Sequence, residues 1–213
     1  RIKGGKLAAA AHPARLVTLA ISDVPGDDPE TIGSGPTVAD PTSLADARAV
    51  LARHALVPAR EIAAALDDTA NETLKPGAPE LAMSRYQLVA RPLASIEAAA
   101  EHARRAGYQV EMLGDALEGE ARDVARAHAG MALQARAEGR RLAILSGGEL
   151  TVTVTGSGSG GPNQEYALSL AIALGAATGI AALAADTDGI DGGGGNEADP
   201  AGAVVVPDTL ARA

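Results

Sequence analysis

The sequence predicts an α/β fold in two parts, on three observations. Short continuous apolar runs at 15–21, 142–145 and 180–185 have the length and composition of strands buried on both faces. Helical stretches lie between such runs, so strand and helix alternate rather than segregate. The break Lys75-Pro76-Gly77-Ala78-Pro79 interrupts that rhythm and sets the expected boundary, giving parts of 1–80 and 81–213.

RLVTLAI at 15–21 is the first strand. The loop at 22–43 carries five carboxylates and four prolines, and a loop that long in a compact domain is functional or disordered. Thr42 or Ser43 caps the next helix, which runs to about Arg53, and Pro58 suits the first turn of another that reaches about Asp67. After the break come a strand at 86–90, a helix at 93–106, a strand at 108–113, a long helix at 119–138 and the strand at 142–145. Residues 150–155 read L-T-V-T-V-T, a strict alternation that gives this strand one polar face. A glycine loop, a helix at 163–174, the strand at 180–185 and an acidic, glycine-rich stretch at 186–200 complete the chain. No repeat of solenoid length is present.

Composition excludes several functions. Ala accounts for 49 of the 213 residues and Phe and Trp are absent, so the core is expected to be Leu, Val and Ile packed among Ala. The absence of Cys removes disulfides, thiolate catalysis and cysteine-ligated zinc, and fits a reducing, cytoplasmic setting. A net charge of −9, with 15 Arg but only Lys3, Lys6 and Lys75, provides no basic stripe or stacking platform for nucleic acid. No apolar run approaches the ~18 residues of a membrane span, and no signal peptide opens the chain. The start at Arg1 and the stop at Ala213 just after a helix-like beginning read as a piece of a longer protein.

The sharpest local signal is Gly156-Ser-Gly158-Ser-Gly160-Gly161-Pro162-Asn163, between a strand and a helix. Its amides and the helix N-terminus can surround an anion. The P-loop pattern matches at Gly156 and Gly161 and then fails, because Pro162-Asn163 replace the Lys and Ser/Thr. The dinucleotide pattern G-x-G-x-x-G matches at Gly156, Gly158 and Gly161, with Asp186 ending the next strand. Two features oppose it: the preceding strand is polar on one face, and Pro162-Asn163 start the helix after the last Gly. A flexible, hairpin-like loop is the plainer alternative.

Asp186, Asp188 and Asp191 lie within six residues at the end of a buried strand, where open α/β sheets bind ligands. They suit Mg²⁺ or a general base, or else form a solvated acidic loop. An EF-hand reading fails because Ile190 and Asp191 stand where the fifth ligand and the Gly belong. Asp23 directly follows the first apolar run, ahead of Asp27 and Asp28, which suit an ordinary turn equally well. Ser34 and Gly35 begin a turn near the same strand end, and Gly147-Gly148-Glu149 lets backbone approach a ligand. Lys3 and Lys6 flank Gly4-Gly5, although exposed lysines are ordinarily just solvated. His12, His54, His102 and His128 have no ligand spacing and read as structural or surface residues.

Taken together, these segments resemble the glycerate 2-kinase family, whose C-terminal part is the MOFRL domain and some of whose members carry the older label hydroxypyruvate reductase. The matching stretches are Ile2-Lys-Gly-Gly-Lys-Leu-Ala8, Ile21-Ser-Asp-Val-Pro-Gly-Asp-Asp28, Ser34-Gly-Pro-Thr37 and Gly119-Glu-Ala-Arg122. They continue with Ser146-Gly-Gly-Glu149, Gly160-Gly-Pro-Asn-Gln-Glu165, Asp188-Gly-Ile-Asp-Gly192 and Ala201-Gly-Ala203. The resemblance implies a Rossmann-like N-terminal part, a mixed-sheet MOFRL-type C-terminal part and a cleft between them. It implies transfer of the ATP γ-phosphoryl group to the 2-hydroxyl of D-glycerate or a similar 2-hydroxy acid, with Mg²⁺. Carried onto this chain, the catalytic candidates are Asp23, Lys3 and Lys6, and the substrate-binding ones Asp27, Ser34, Gly35 and Glu165. The nucleotide candidates are Gly147, Gly148, Glu149, Gly156, Gly158, Gly160, Gly161 and Asn163, and the metal candidates Asp188 and Asp191.

The chain departs from the family in having Pro162 where many members have Arg, and in lacking the N-terminal half and the C-terminal end. An isolated fragment is therefore expected to be inactive. Two other readings stand beside the kinase: an NAD(P)H-dependent hydroxypyruvate reductase, and a non-catalytic ligand-binding module. A homodimer is allowed but not specified.

Overall fold

Four consecutive alanines, Ala8 to Ala11, continue from Lys6 into a short helix, α1 (Lys6–Ala11), which precedes strand β1 (Leu16–Ile21). The computed structural model of the chain describes residues 2–24, 26–187, 189–192 and 198–212. Helices α2 (Leu44–Arg53) and α3 (Arg60–Asp67) follow. Ser43 caps α2 as expected: its hydroxyl accepts from the Asp46 amide, and the Asp46 carboxylate accepts from the Ser43 amide at 2.9 Å. Pro58 lies ahead of the Ala59 cap of α3, so that helix starts later than Pro58 suggested.

Strand β2 (Ser84–Ala90) runs parallel to β1, with Leu16 opposite Ser84 and Ala20 opposite Leu88. This pairing ties β2 to the first part of the chain. The two compact units accordingly divide at Arg91/Pro92, Arg1–Arg91 and Pro92–Ala213, rather than after residue 80. β1 is not buried on both faces: Val17, Leu19 and Ile21 are 56%, 65% and 76% exposed, and the alternate residues are half-buried. Within the described residues the pair is covered on one face only.

The second unit contains α4 (Pro92–Arg105), β3 (Gln109–Met112), β4 (Leu117–Glu120), α5 (Ala121–Ala137), β5 (Leu142–Leu145) and β6 (Gly148–Thr151). It continues through α6 (Pro162–Leu174), β7 (Ala182–Ala185), β8 (Gly202–Val205) and α7 (Thr209–Arg212). β3 pairs with β5 and β4 with β6, both parallel, while β7 and β8 are antiparallel, a mixed set of strands. β7 is also buried on one face only, with Leu183 71% exposed.

The core of this unit is the contact of α5 with α6. Ala125 and Ala129, one turn apart on α5, meet Ala167, Leu170, Ala171 and Leu174 on α6, with Val205 of β8 closing the cluster. Alanines at i and i+4 present a smooth stripe that lets two helices pack closely. The alanine-rich composition thus has a packing role.

β4 and β8 were not anticipated, and β6 begins earlier than the L-T-V-T-V-T run suggested, leaving 152–155 outside any strand. β6 starts at Gly148 because only Gly fits there. Leu117 lies opposite in register, and a Cβ on Gly148 would sit 2.1 Å from the Leu117 carbonyl oxygen.

Candidate functional site

The segment joining β6 to α6 borders a cavity of about 500 Å³. Backbone of Gly156, Gly158, Gly160 and Gly161 lines one side, and Arg122, Glu165 and β8 contribute to the rest. The glycines are not equivalent. A Cβ on Gly161 would fall 2.5 Å from the backbone of Asp191, so this glycine serves a loop-to-loop contact. It is the N-cap of α6 and lies outside the helix, as Pro162 implied. Gly156 and Gly158 have neither a positive φ nor any atom within 4 Å of a Cβ position. Packing gives no reason for those two.

Asp191 is fully buried and caps α6 from 28 residues away. Oδ1 accepts from the Asn163 amide at 2.9 Å and from its side-chain Nδ2 at 3.1 Å, and Oδ2 accepts from the Gln164 amide at 2.7 Å. The Gln164 side chain returns the contact by donating to the Asp191 carbonyl at 3.0 Å. Burial alone would raise this carboxyl's pKa, but the four hydrogen-bonding contacts from Asn163 and Gln164 outweigh it and hold the pKa below 3.8. Both oxygens accept from the first turn of α6, so Asp191 caps that helix. Pro162 has no N–H, and the backbone amides of Asn163 and Gln164 already serve Asp191.

A second set of contacts bridges the two ends of the loop. Glu120, at the end of β4, accepts from the Thr153 amide and hydroxyl, each at 3.0 Å. Hydrogen bonding from the Thr153 amide is the main reason its pKa is lowered, against the opposing effect of burial, with help from the Thr153 hydroxyl and Arg122. Arg122, in the first turn of α5, places Nη2 2.9 Å from Glu165 Oε1 on α6. Its Nε is buried without a hydrogen bond, the Glu120 carboxylate being 3.6 Å away. Thr153 lies upstream of the glycines and Glu165 downstream, so Glu120 and Arg122 span the loop. Sequence reasoning missed Arg122 as a site residue. Its only signal was the Gly119-Glu-Ala-Arg122 segment, because its partner Glu165 lies 43 residues away.

The remaining glycine candidates have structural roles. Gly147 accepts from the Leu117 amide and donates to the Gly114 carbonyl, and Gly148 allows the close β4–β6 approach. Glu149 lies exposed on β6. Gly160 has φ +133°, with the Gln164 side chain 3.4 Å from a Cβ position.

In the first unit the structure brings together two of the sequence motifs. Gly4 and Gly5 donate to the carbonyls of Ser34 and Gly35 at 3.0 and 2.8 Å, and Lys3 Nζ donates to the Ser34 hydroxyl at 3.2 Å. Thr37 anchors this double turn to the sheet, bonding to Thr18 of β1 at 2.7 Å and accepting from Ser84 of β2 at 2.9 Å. Lys6 points elsewhere, donating to the Ala70 carbonyl at 3.1 Å, a structural tie. Asp23 follows β1 as an exposed carboxylate. Asp27 adopts φ +56° and has a buried Oδ1 with no hydrogen-bond partner among the described residues. Asp188 lies outside the described residues.

Among the described residues there is no group of three or more His, Cys, Asp or Glu that could hold a metal ion. No described helix is long and apolar enough to cross a membrane.

Residues 142–213 match the MOFRL family, and residues 1–67 match a domain of unknown function, DUF4147. The chain is 55% identical over 217 residues to an Agrobacterium vitis protein provisionally named hydroxypyruvate reductase, covering 99% of this chain and 48% of that protein. It is 39% identical over 216 residues to a glycerate 2-kinase of Pyrococcus horikoshii, covering 96% of this chain and 47% of the relative. The crystal structure of a Thermotoga maritima glycerate kinase superposes with a TM-score of 0.76 at 33% identity, covering 98% of this chain and 49% of that one. The chain thus spans about half the length of the relatives it matches.

Proposed function

From a chain whose residues 142–213 belong to the MOFRL family and which aligns end to end with half of a glycerate kinase, we propose that the protein acts as a glycerate 2-kinase. The unit ending at Arg91 is then the closing portion of a Rossmann-like domain, and the unit from Pro92 carries the MOFRL domain. The observation that carries the reading is Gly156 and Gly158. Both line the cavity, and neither φ nor crowding accounts for them, which supports close approach of a ligand to the backbone. A phosphate chain is the ligand that bare loop amides suit.

In the reaction, the 2-hydroxyl oxygen of D-glycerate attacks the γ-phosphorus of ATP, the bond to the β,γ-bridging oxygen breaks, and ADP leaves. Such a transfer is achieved mainly by positioning and charge stabilisation. Asp23 takes the hydroxyl proton, as an exposed strand-end carboxylate. Lys3, held by Ser34, supplies positive charge, and Asp27 contacts the substrate hydroxyls beside Ser34 and Gly35, since a carboxylate accepts from hydroxyls. A divalent ion enters this proposal only as carried by the nucleotide phosphates, since Asp191 is committed to α6. A cytoplasmic setting, where ATP is held, belongs to the same proposal.

The name of the Agrobacterium vitis relative favours a second reading, an NAD(P)H-dependent hydroxypyruvate reductase. The geometry argues against it, because the third glycine of the literal pattern packs on Asp191 instead of bringing a helix onto its strand. Incubation of the full-length protein with D-glycerate and Mg-ATP, and separately with hydroxypyruvate and NAD(P)H, decides between them. ADP and 2-phosphoglycerate without nicotinamide oxidation are expected; nicotinamide oxidation without ADP would overturn the kinase.

A further inference from the structure

We propose that Arg122 is the cation that meets the phosphate chain of the nucleotide in the glycine-loop cavity, held ready by Glu165 and Glu120. This rests on the nucleotide reading of that cavity. Among the described residues Arg122 is the one Lys or Arg side chain lining it. A phosphate chain needs compensating charge, and α6 does not provide it with free amides: the Asn163 and Gln164 amides both end on Asp191. The nearest alternative source is the guanidinium across the loop.

Its surroundings suit a group that exchanges partners. Nη2 rests on Glu165, Nε is buried without a hydrogen bond, and Nη1 has no partner among the described residues. An arginine fork binds phosphate oxygens in pairs, and Nη1, with Nη2 once it leaves Glu165, supplies the donors for that. Glu120 is pinned by two contacts to Thr153 and therefore steadies the side chain from one side. Glu165 holds it through a single 2.9 Å contact, the one a phosphate displaces. Before that exchange the local group, one guanidinium between two carboxylates, carries a net charge of −1. Removing the Glu165 charge therefore favours an incoming anion.

This gives opposite signs for two substitutions. Binding of ADP and, separately, of D-glycerate is measured calorimetrically on the full-length protein and on Arg122→Gln, Arg122→Lys and Glu165→Gln. The expected result is an ADP Kd at least tenfold weaker in Arg122→Gln, severalfold weaker in Arg122→Lys and severalfold tighter in Glu165→Gln. The D-glycerate Kd stays within twofold in Arg122→Gln. A merely structural brace would weaken ADP binding in Arg122→Gln and Glu165→Gln alike, and that outcome overturns the proposal. So does an ADP Kd within twofold of the parent in Arg122→Gln, or a loss confined to D-glycerate, which would assign Arg122 to the substrate carboxylate. If Arg122→Gln does not fold, Arg122→Lys and the sign of the Glu165→Gln effect decide. A parent protein that binds no ADP overturns the nucleotide reading itself, and this inference with it.

Discussion

Asp191 provides the sharpest test of how the site is built, because its role follows from distances alone. Its carboxylate accepts three N–H donors from the first turn of α6, at 2.7 to 3.1 Å, and the residue is fully buried. In Asp191→Ala the amides of Asn163 and Gln164 lose their acceptor. Each buried orphan costs about 1–3 kcal/mol, and with the lost volume the total comes to about 3–5 kcal/mol. Asp191→Asn is isosteric but turns one oxygen into a donor facing a donor, at a cost of about 1–3 kcal/mol. The loss concentrates at α6, so hydrogen exchange resolves it: α6 amides should exchange roughly 10²–10³-fold faster in Asp191→Ala, while β3 serves as the control. Acid adds a second signature. The folded pKa lies below 3.8, so the stabilisation is fully present above 3.8 and is lost as pH falls through the depressed value. The gap between parent and Asp191→Asn should hold from pH 5 to 8 and close in stronger acid. Exchange at α6 within threefold of the parent in Asp191→Ala would refute the cap and return Asp191 to the metal candidates.

Four further outcomes are expected. Asp23→Asn should lower turnover by roughly 10²–10⁴-fold with little change in ADP affinity, and turnover within a fewfold of the parent removes Asp23 as the base. Gly148→Ala should cost about 2 kcal/mol or more in urea denaturation, because its Cβ would sit 2.1 Å from the Leu117 carbonyl oxygen; a neutral result means β4 and β6 are not so closely paired. Leu170→Ala, in the α5–α6 core at 4% exposure, should cost about 2–5 kcal/mol by the same measurement, and an effect below 1 kcal/mol would deny that core. His128 on α5 is buried, lies 2.8 Å from the Tyr166 hydroxyl through Nδ1, and has its pKa lowered from 6.5 by that burial. Stability should therefore decline as pH falls below 6.5, and His128→Gln should remove that decline; a decline of equal size in the variant assigns it elsewhere.

What was legible in the sequence was local. The cap at Ser43, the apolar run of β5 and the helix after Pro162 each depend on neighbours within one turn or one strand. β4, spelled Leu-Glu-Gly-Glu, has no strand propensity of its own and exists because Gly148 lets β6 come alongside. The same distinction divides the site. Spacing alone made Asp186, Asp188 and Asp191 look like a metal cluster, yet Asp191 is used by amides 27 and 28 residues away. Motifs likewise made Gly147, Gly148 and Gly161 look like ligand contacts. Gly148 and Gly161 are instead required by the backbone that passes close to them, and substituting them reports on folding whatever the chemistry is. Gly156 and Gly158 have open space around them and ordinary φ, so an alanine there leaves the fold intact and obstructs only what enters the cavity. Those two positions, together with Arg122 opposite, are where a substitution acts on the ligand rather than on the fold.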